Sequence, residues 1–357
     1  MKIVILVQNM SMGGVQRLIA DDIHEMVLRG IDVWLVTFEK EGGASLMNEC
    51  ALPSERTVYI PYPRLRNIRG FFATVRCLYR IQPNMIMTHM WFANTVGRLA
   101  ALLVPKAAVL SFEHTLPRKR FPFQQRFFDT ILQFVGTKVV AVSISVRDAL
   151  IQSGIRSNRI SVIKNGINLS RYREEKGIAR AALGFSSDDL LFIFIGRLVK
   201  DKNVDTLLSA LCQLQDGTLL IVGDGPERKT LEESEAARSL GSRVRFIGMS
   251  HEVPRFLAAS DGVVLPSRRE GFGLVLVEAA ACGVPGIVSA SASLTGVIAD
   301  GYNGLVASGD EANDLAAVMG VFARDSHLRE RLRNGAKESA LPYAIERHVD
   351  ELLFFYA

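Results

Sequence analysis

Short, continuously apolar runs alternate along the chain with stretches in which apolar and charged residues recur at helical spacing. Such runs, of which KIVILVQ is the first, are typical of strands that are covered on both faces, as in a parallel sheet. The pattern predicts strands at positions 2–8, 32–38, 57–62, 85–90, 108–114, 138–143, 160–166, 190–197, 217–223, 244–249, 261–267, 286–290 and 304–308. With helices between them these strands form right-handed βαβ units, so we predict an α/β protein.

The length of 357 residues is too great for one ordinary core and suits two domains. The alternation breaks at positions 167–189, where the sequence becomes polar and charged, and we place the interdomain linker there. This predicts two Rossmann-like, doubly wound domains, 1–168 and 169–340, that face a cleft. Ligands of such sheets bind at the carboxyl ends of the strands, so functional residues are expected directly after them.

Composition narrows the class of protein further. No apolar stretch reaches the roughly 20 residues of a membrane span, and the N-terminal run predicts a strand rather than a cleavable signal. The four scattered cysteines suit a reducing cytosol and argue against a zinc site. The net charge of +5 conceals an asymmetry, because positions 1–170 carry 21 basic and 11 acidic residues and the remainder carries 21 and 26. The two domains are therefore expected to have different partners.

In the first half, glycines and histidines follow predicted strands. Gly13 and Gly14 precede a helical pattern, where they can bring backbone amides close to an anion, although a plain tight turn explains them equally well. No G-x-G-x-x-G fingerprint or P-loop lysine accompanies them, which disfavours dinucleotide and P-loop sites. His89 and His114 end two strands. One such histidine is more often structural, but two in one domain favour a polar cleft wall, and neither is a convincing metal ligand.

In the second half, basic residues and another glycine turn follow the strands. Arg197 and Lys202 come after a buried strand. There they can bind a diphosphate leaving group, and a solvated loop is the alternative. Gly225 lies in the turn GDGPERKTL, in which Pro226 suits the first turn of a helix.

Two glutamates, Glu270 and Glu278, stand eight positions apart in SRREGFGLVLVEAAACG. The glycines between them predict a turn and then a helix from about Leu274 to Cys282. Free amides at that helix N-terminus favour an anion, beside which Glu270 is best satisfied by sugar hydroxyls. Glu278 lies inside the helix among apolar residues, where two ribose hydroxyls would suit it, and a solvent-facing position is the alternative. The spacing predicts a site for a nucleotide diphosphate sugar.

With these motifs the chain resembles the family 4 retaining glycosyltransferases of the GT-B fold. The motifs follow the family order over nearly the whole chain, and the E-x7-E block is specific when combined with the G-R-x4-K element. They are GGVQR (13–17), SFEHT (111–115), NGIN (165–168), GRLVKDKN (196–203), VGDGP (222–226), VRFIG (244–248), Glu270 to Glu278, CGVPGIVS (282–289) and DGYNGLV (300–306).

The resemblance implies roles at the matching positions. His114 would lie beside the transferred sugar, Arg197 and Lys202 would neutralise the diphosphate, Glu270 would hold the sugar and Glu278 the ribose. These first four are the expected catalytic residues. The expected donor-binding residues are Gly14, Arg197, Lys202, Gly225, Ile247, Gly248, Met249, Glu270, Gly271, Phe272, Gly273, Leu274 and Glu278. The last helix, in about 341–357, would pack back on the first domain.

The implied reaction is glycosyl transfer with retention through an oxocarbenium-like transition state. Front-face attack, in which the leaving phosphate accepts the proton of the acceptor, requires no general base. Enzymes of this family typically need no metal, in agreement with the lack of an Asp-x-Asp motif, and no cofactor besides the donor is expected. UDP is the commonest nucleotide in the family, and GDP stays open.

The excess positive charge of the first half is clustered. Positions 64–80 carry five arginines among aromatic residues, and positions 117–128, which include Arg118, Lys119 and Arg120, carry four basic and four aromatic residues. Such interleaving suits an anionic bilayer surface, although solvated helix faces are an equally good interpretation. We predict a cytoplasmic enzyme, peripheral on the inner membrane, that acts on a glycan or polyprenyl-linked acceptor in surface polysaccharide or lipopolysaccharide assembly. Nucleic acid is a weaker rival, since no recognition motif accompanies the charge.

Three other functions compete with this prediction. The first is that of another GT-B enzyme, such as a nucleotide-sugar epimerase or a phosphorylase. A glycosidase would use the two glutamates as acid and nucleophile, about 5–10 Å apart on either side of the bond. A non-catalytic nucleotide-sugar-binding protein would keep the contacts without the reaction.

Overall fold

A computed structural model describes residues 1–40, 45–62, 64–65, 67–104, 107–116, 123–135, 138–173 and 175–355, with the backbone alone for 123–127. The chain forms two compact units, the first of Met1–Ile167 and Ile345–Ala357 and the second of Asn168–Ala344. The predicted α/β class with two parallel-sheet domains is confirmed. Among the described residues, no helix is both long and apolar enough to cross a membrane.

The first unit is built on seven parallel strands: β1 Lys2–Val7, β2 Asp32–Thr37, β3 Thr57–Tyr59, β4 Met85–His89, β5 Ala108–Glu113, β6 Lys138–Ala141 and β7 Ile160–Val162. Their order in the sheet is β3-β2-β1-β4-β5-β6-β7. The helices between them are α1 Gly14–Leu28, α2 Ile68–Ile81, α3 Trp91–Ala101, α4 Phe123–Leu132 and α5 Ile144–Gln152.

The strand β1 shows why these runs are continuously apolar. Ile3, Ile5 and Val7 belong to the core on one face of the sheet. Val4 and Leu6 belong to the core on the other face. Because successive side chains of a strand point to opposite faces, a strand with helices on both sides has no polar face.

The second unit has six parallel strands: β8 Leu191–Ile195, β9 Thr218–Val222, β10 Val244–Gly248, β11 Gly262–Leu265, β12 Gly286–Val288 and β13 Gly304–Val306. Their order is β10-β9-β8-β11-β12-β13. The helices are α6 Lys176–Leu183, α7 Val204–Cys212, α8 Arg228–Glu232, α9 Glu235–Leu240, α10 Val253–Ala259, α11 Leu274–Ala281, α12 Ala290–Ser293, α13 Ala312–Arg324 and α14 Ser326–Ala340. The chain then returns to the first unit in α15, Ile345–Phe354.

All thirteen predicted strands form, each within its predicted range, but each ends one to four residues earlier. The residues after these ends are the loops in which candidate side chains lie. In each sheet the winding direction reverses at one strand, at β1 between β2 and β4 and at β8 between β9 and β11. The loops that leave the two strands at such a reversal diverge and form a crevice, which is where doubly wound sheets bind ligands.

The segment 167–189 is not the polar linker that was predicted, because it contains α6 and from Asn168 onward belongs to the second unit. On α6, Arg180 is buried and donates from Nε to the Ala259 carbonyl at 2.9 Å and from Nη2 to Asp261 at 2.6 Å. Lys176 binds the same aspartate at 2.5 Å. Two of the charges that indicated a solvated linker, Lys176 and Arg180, instead form an ion cluster with Asp261 beside α10.

The predicted domain limits were 168 and 341, whereas the units divide after Ile167 and before Ile345. The residues Leu341–Tyr343 form a 3-10 turn of the second unit. The ring of Tyr343 packs edge-on against Phe272, with 5.8 Å between ring centroids. This contact holds the turn in the second unit, so the chain returns to the first unit only at Ile345.

The helix α15 is fastened to the first unit through His348. Nδ1 of His348 donates to the Lys164 carbonyl at 2.7 Å, and Nε2 lies 3.3 Å from Oδ1 of Asp22 on α1, where both side chains are buried. Burial opposes the charge on His348, but the Asp22 carboxylate and the Lys164 carbonyl together raise its pKa above the ordinary value. The pair fixes the position of α15 on α1.

A buried arginine joins α3, β5 and α4. Arg98 is only 2% exposed; its Nε donates to Ser111 at 2.9 Å, and its Nη1 lies 3.9 Å from Asp129. Nearby, Asn94 donates to Glu113 at 2.8 Å. Burial raises the pKa of Glu113 to about 7 and that of Asp129 to about 6. Arg98 is thus the cation that these two carboxyl groups face inside the unit.

Candidate active site

The reversal point of the second sheet brings two predicted site residues into contact. Lys202 ends the 3-10 turn Lys200–Lys202 after β8, and Glu270 lies in the loop after β11. Their side chains form an ion pair, with 2.5 Å between Nζ and Oε2. The hydroxyl of Ser267 donates to the same oxygen at 3.3 Å. The sequence assigned both residues to a ligand, but it did not indicate that they pair with each other.

A backbone contact holds the two loops together. The amide of Arg268 donates to the carbonyl of Asp201 at 3.0 Å, so the segment before Lys202 and the segment before Glu270 are joined directly. Arg197, which the sequence grouped with Lys202, leaves β8 with an exposed side chain. The site therefore offers one cation paired with Glu270 and a second cation open to solvent.

The helix α11 begins beside this pair. Its N-cap residue Gly273 has a φ of 78°, a left-handed conformation that favours glycine, and no side chain caps the helix. In the first turn the amide of Leu276 donates to the Gly273 carbonyl at 2.8 Å, and those of Leu274 and Val275 precede this first bond of the helix. The predicted Phe272 is a core residue, so its side chain packs on Tyr343 and only its backbone remains for a ligand.

Glu278 is 8% exposed on α11, and the solvent-facing alternative is wrong. Its Oε1 accepts a hydrogen bond from the hydroxyl of Tyr172 at 3.0 Å. Tyr172, itself 4% exposed, ends the 3-10 turn Leu169–Tyr172. Sequence reasoning missed this tyrosine because it lies in the segment predicted to be linker. A tyrosine shortly after the NGIN motif was the available signal.

The glycines after β9 have a packing requirement of their own. A Cβ on Gly225 would come within 2.3 Å of the Leu198 carbonyl oxygen, and one on Gly223 within 2.0 Å of the Gly196 oxygen. Only glycine lets the loops after β8 and β9 approach so closely. Gly225 is thus explained by packing, whatever else it binds.

The loop at the end of β10 exposes apolar side chains. Ile247 is 38% and Met249 56% exposed, on either side of buried Gly248, whose φ is 83°. A guanidinium nitrogen of Arg228 would lie 3.0 Å from a Cβ at Gly248. Exposed apolar residues beside donor groups are suited to a flat heterocycle.

In the first unit, Gly14 is the exposed first residue of α1, after β1. His89 at the end of β4 and His114 after β5 lie against each other, with 3.0 Å between Nδ1 of His89 and Nε2 of His114. His89 is completely buried and His114 is 9% exposed. The expected polar wall is therefore wrong for His89, which supports His114 from behind.

Burial and, to a smaller extent, the nearby His348 lower the pKa of His114 to about 3. The pKa of His89 is also lowered, mainly by burial. The unfolded chain binds a proton on His114 below about pH 6.5, whereas the folded chain does not until about pH 3. The unfolding free energy therefore falls as the pH drops below about 6.5, by about 2 kcal/mol at pH 5 for this group.

We expect His114→Gln to flatten this pH dependence. The measurement is urea unfolding at pH 7.5 and pH 5, followed by tryptophan fluorescence, since both tryptophans, Trp34 and Trp91, lie in the first unit. The exposed His24 provides the control His24→Gln, which should keep the wild-type slope. An unchanged slope in His114→Gln would contradict the buried neutral state.

Two remaining predictions concern the surface and metals. Arg118, Lys119 and Arg120 lie outside the described residues. Within the described ranges, no three histidine, cysteine, aspartate or glutamate side chains are grouped so that they could hold a metal ion.

Comparison with known proteins connects this geometry with a family. Residues 12–171 match the model of Glycosyltransferase Family 4, and residues 175–339 match that of Glycosyl transferases group 1. An uncharacterised glycosyltransferase of Methanocaldococcus jannaschii is 29% identical over 80% of this chain and 81% of its own. The D-inositol 3-phosphate glycosyltransferase of a Nocardioides species is 32% identical over 76% of this chain and 67% of its own.

Solved structures share the fold over the whole length. The structure of Anabaena HepE in complex with UDP and glucose has a TM-score of 0.86 at 21% identity and covers 99% of this chain and 98% of its own. The structure of WaaG, a glycosyltransferase involved in lipopolysaccharide biosynthesis, has a TM-score of 0.77 at 20% identity and covers 98% of each chain. With two family models that together match most of the sequence and with this fold, the chain belongs to the family 4 glycosyltransferases of the GT-B type.

Proposed function

We propose that the protein transfers a sugar, with retention, from a UDP-sugar to a glycan or lipid-linked acceptor in surface polysaccharide assembly. The observation that carries this proposal is the group at the reversal point of the second sheet. It combines the Lys202–Glu270 pair, the uncapped start of α11 and the buried Glu278 held by Tyr172. The cation and the amide donors match a diphosphate. The two carboxylates match the hydroxyls of a sugar and of a ribose.

Each group has a distinct task in the proposed reaction. Lys202, the exposed Arg197 and the start of α11 stabilise the negative charge that grows on the leaving diphosphate. Glu270 accepts hydrogen bonds from the transferred sugar, and its ion pair with Lys202 keeps its charge balanced before and after the donor binds. His114 contacts the transferred sugar. The leaving phosphate takes the proton of the acceptor, so no side chain acts as general base.

The same unit also holds the nucleotide. Glu278 accepts bonds from the ribose hydroxyls, while Tyr172 occupies one of its oxygens and fixes the carboxylate. The apolar side chains of Ile247 and Met249 border the base. UDP is favoured because the structure of HepE, which has the same fold, contains UDP. We propose further that binding and transfer require no metal.

The donor site is tested by thermal shift with UDP, GDP, ADP and NAD, each with magnesium and with EDTA. We expect UDP to raise the melting temperature equally in both and Glu278→Ala to abolish the shift. A shift with NAD alone would overturn the proposal, and one with GDP alone would change the donor. Release of UDP from UDP-sugars only when an acceptor is present distinguishes transfer from epimerase, phosphorylase or glycosidase activity.

We expect Tyr172→Phe to weaken UDP binding about 10-fold, since a hydrogen bond to a charged group contributes about 1.5–3 kcal/mol and the ribose replaces part of it. The measurement is the dissociation constant of UDP by calorimetry. Tyr302→Phe is the matched control, because the exposed hydroxyl of Tyr302 also donates to a glutamate, Glu338, at 2.6 Å. Equal affinity in the wild type and Tyr172→Phe would remove Tyr172 from the site.

We propose that the acceptor is reached at an anionic bilayer surface and that α2 makes the contact. The helix leaves one face exposed to solvent, which we call the α2 face and which consists of Ile68, Arg69, Phe72, Arg76, Tyr79 and Arg80. Three arginines alternate there with three large apolar residues along consecutive helical turns. Lipid phosphates complement the arginines, and the apolar residues can enter the headgroup region.

Sedimentation with phosphatidylglycerol vesicles tests this contact. We expect the wild type to bind these vesicles more than phosphatidylcholine vesicles, and the triple exchange of Arg69, Arg76 and Arg80 to glutamine to abolish most binding. The control exchanges three exposed arginines of the second unit, Arg238, Arg324 and Arg331, and has the same net charge. If both triple variants bind alike, or the wild type does not bind, the α2 face has no such role.

A further inference from the structure

The guanidinium group of Arg228, the first residue of α8, lies against the end of β10. A Cβ added to Gly248 would be 3.0 Å from Nη1 and 3.9 Å from Cζ of Arg228, so the guanidinium group is beside the backbone of this glycine. The exposed residues Ile247 and Met249 flank the glycine in the chain. The amide of Gly223 donates to the Gly248 carbonyl at 2.8 Å and joins this loop to the loop after β9. A cation and two apolar side chains therefore border one loop of the second unit.

Two carboxylates hold this guanidinium group in place. Nη1 of Arg228 donates to Oδ2 of Asp224 at 3.0 Å, and Nε donates to Oε1 of Glu232 at 2.8 Å. Asp224 is itself fixed, because its Oδ1 accepts a hydrogen bond from the amide of Gly225 at 2.7 Å. A free arginine side chain samples many rotamers, and two partners on different nitrogens limit the orientations of its planar group. The position of Arg228 beside β10 is thus set before any ligand binds.

The third nitrogen, Nη2, is open. It has no hydrogen-bond partner among the described residues, and it is not one of the polar atoms that are shielded from solvent without a partner. The side chain of Arg228 is 32% exposed. Local pairing at i,i+4 spacing explains the bonds of Nη1 and Nε, but it does not explain why the group lies against β10. Free N–H groups beside exposed apolar side chains suit a flat ligand that carries a carbonyl oxygen.

We propose that Arg228 is a specificity-determining residue that donates from Nη2 to a carbonyl oxygen of the nucleotide base. The inference rests on the proposed function, in which Ile247 and Met249 border the base. Uracil carries the carbonyl oxygen O4 where cytosine carries an amino group, and guanine carries O6 where adenine carries an amino group. A guanidinium group only donates hydrogen bonds, so an amino group in that place opposes it donor to donor. Arg228 therefore selects UDP over CDP, and GDP over ADP.

The order of the strands indicates which edge of the base faces Arg228. Glu278, to which the ribose is assigned, lies on α11 after β11. β10 is at the edge of the sheet, and β9 and β8 lie between it and β11. A base that extends from the ribose toward β10 turns its far edge to Arg228, and in uracil that edge carries O4, because O2 is next to the bond to the ribose.

The test is calorimetry of UDP, CDP, GDP and ADP binding to the whole protein. We expect the wild type to bind UDP at least about 10-fold more tightly than CDP, and Arg228→Met to bring this ratio below about 3, because the hydrogen bond to a charged donor is lost. Lys229→Met is the matched control, since it removes from the same helix a cation that is 84% exposed and lies 3.9 Å from Glu233. It should keep the wild-type ratio.

The ratio separates selection from a structural effect, because a loosened loop would weaken UDP and CDP alike. An unchanged ratio in Arg228→Met, or a wild type that binds UDP and CDP equally, overturns the role of Arg228 while the donor site stands. If the wild type binds GDP rather than UDP, the ratio of GDP to ADP is read in the same way and must fall only in Arg228→Met. A wild type that binds none of the four nucleotides overturns the proposed function, and the inference fails with it.

Discussion

Replacing Lys202 with alanine is expected to lower kcat for glycosyl transfer about 10²- to 10³-fold, the loss typical when one preorganised donor to a developing anion is removed. Two effects add in this variant. In the proposed reaction the leaving diphosphate loses a cation, and Glu270 loses the ammonium group 2.5 Å away, so that an uncompensated carboxylate would face the phosphates. The KM for the donor should therefore rise as well. The measurement is steady-state transfer under saturating acceptor.

The neighbouring lysine offers a matched control. Lys200 lies in the same 3-10 turn with an exposed side chain, and Lys200→Ala should change kcat less than about 3-fold. The double variant Lys202→Ala, Glu270→Gln separates the two effects, because removing the unpaired charge should restore part of the donor affinity without restoring kcat. Equal losses in the two lysine variants, or full activity in Lys202→Ala, would contradict the assigned role.

Replacing Arg98 with methionine is expected to lower the unfolding free energy of the first unit by about 3–5 kcal/mol, as when one partner of a buried ion pair is removed. Methionine keeps an unbranched apolar side chain, so the loss comes mainly from the hydrogen bond to Ser111 and from the carboxyl groups left without a cation. The measurement is urea unfolding followed by tryptophan fluorescence, which reports the first unit alone.

The pH dependence of this loss gives an internal check. The pKa of Asp129 is about 6 and that of Glu113 about 7 with Arg98 in place, and both should rise further without it. A folded-state pKa above the unfolded value adds stability as the pH falls, so the deficit of Arg98→Met should shrink from pH 7.5 to pH 5.5. Arg147→Met, in which an exposed pair with Asp148 at 2.7 Å is lost, should cost about 0.5 kcal/mol or less at both pH values. A deficit that is independent of pH would argue against buried carboxylates.

The strands and the order of the candidate loops were predictable because each strand carries its signal in a few consecutive residues. The run KIVILV predicts a strand with both faces covered, and the glycines before Leu274 predict the start of a helix. Glu278 was predictable as a buried acid for the same reason, since its apolar neighbours lie within one turn.

The contacts that complete the site could not be predicted in this way, because they join residues far apart in sequence. Lys202 and Glu270 are in contact only because β8 and β11 are neighbours at the reversal point. The sequence of neither loop predicts this strand order. Tyr172 reaches Glu278 across 106 positions. The mistaken linker has the same origin, because the charges of α6 find their partner, Asp261, 81 or more positions later.

The return of the chain to the first unit has a consequence for synthesis. Residues 168–344 form one unbroken segment, so the second unit can fold as soon as it leaves the ribosome. The first unit begins earlier but is completed only after the second, because Ile345, Val349 and Leu352 belong to its core and His348 provides the partner of Asp22. During translation the core of the first unit therefore remains incomplete, with the apolar face of α1 that packs on α15 uncovered, until α15 has been made.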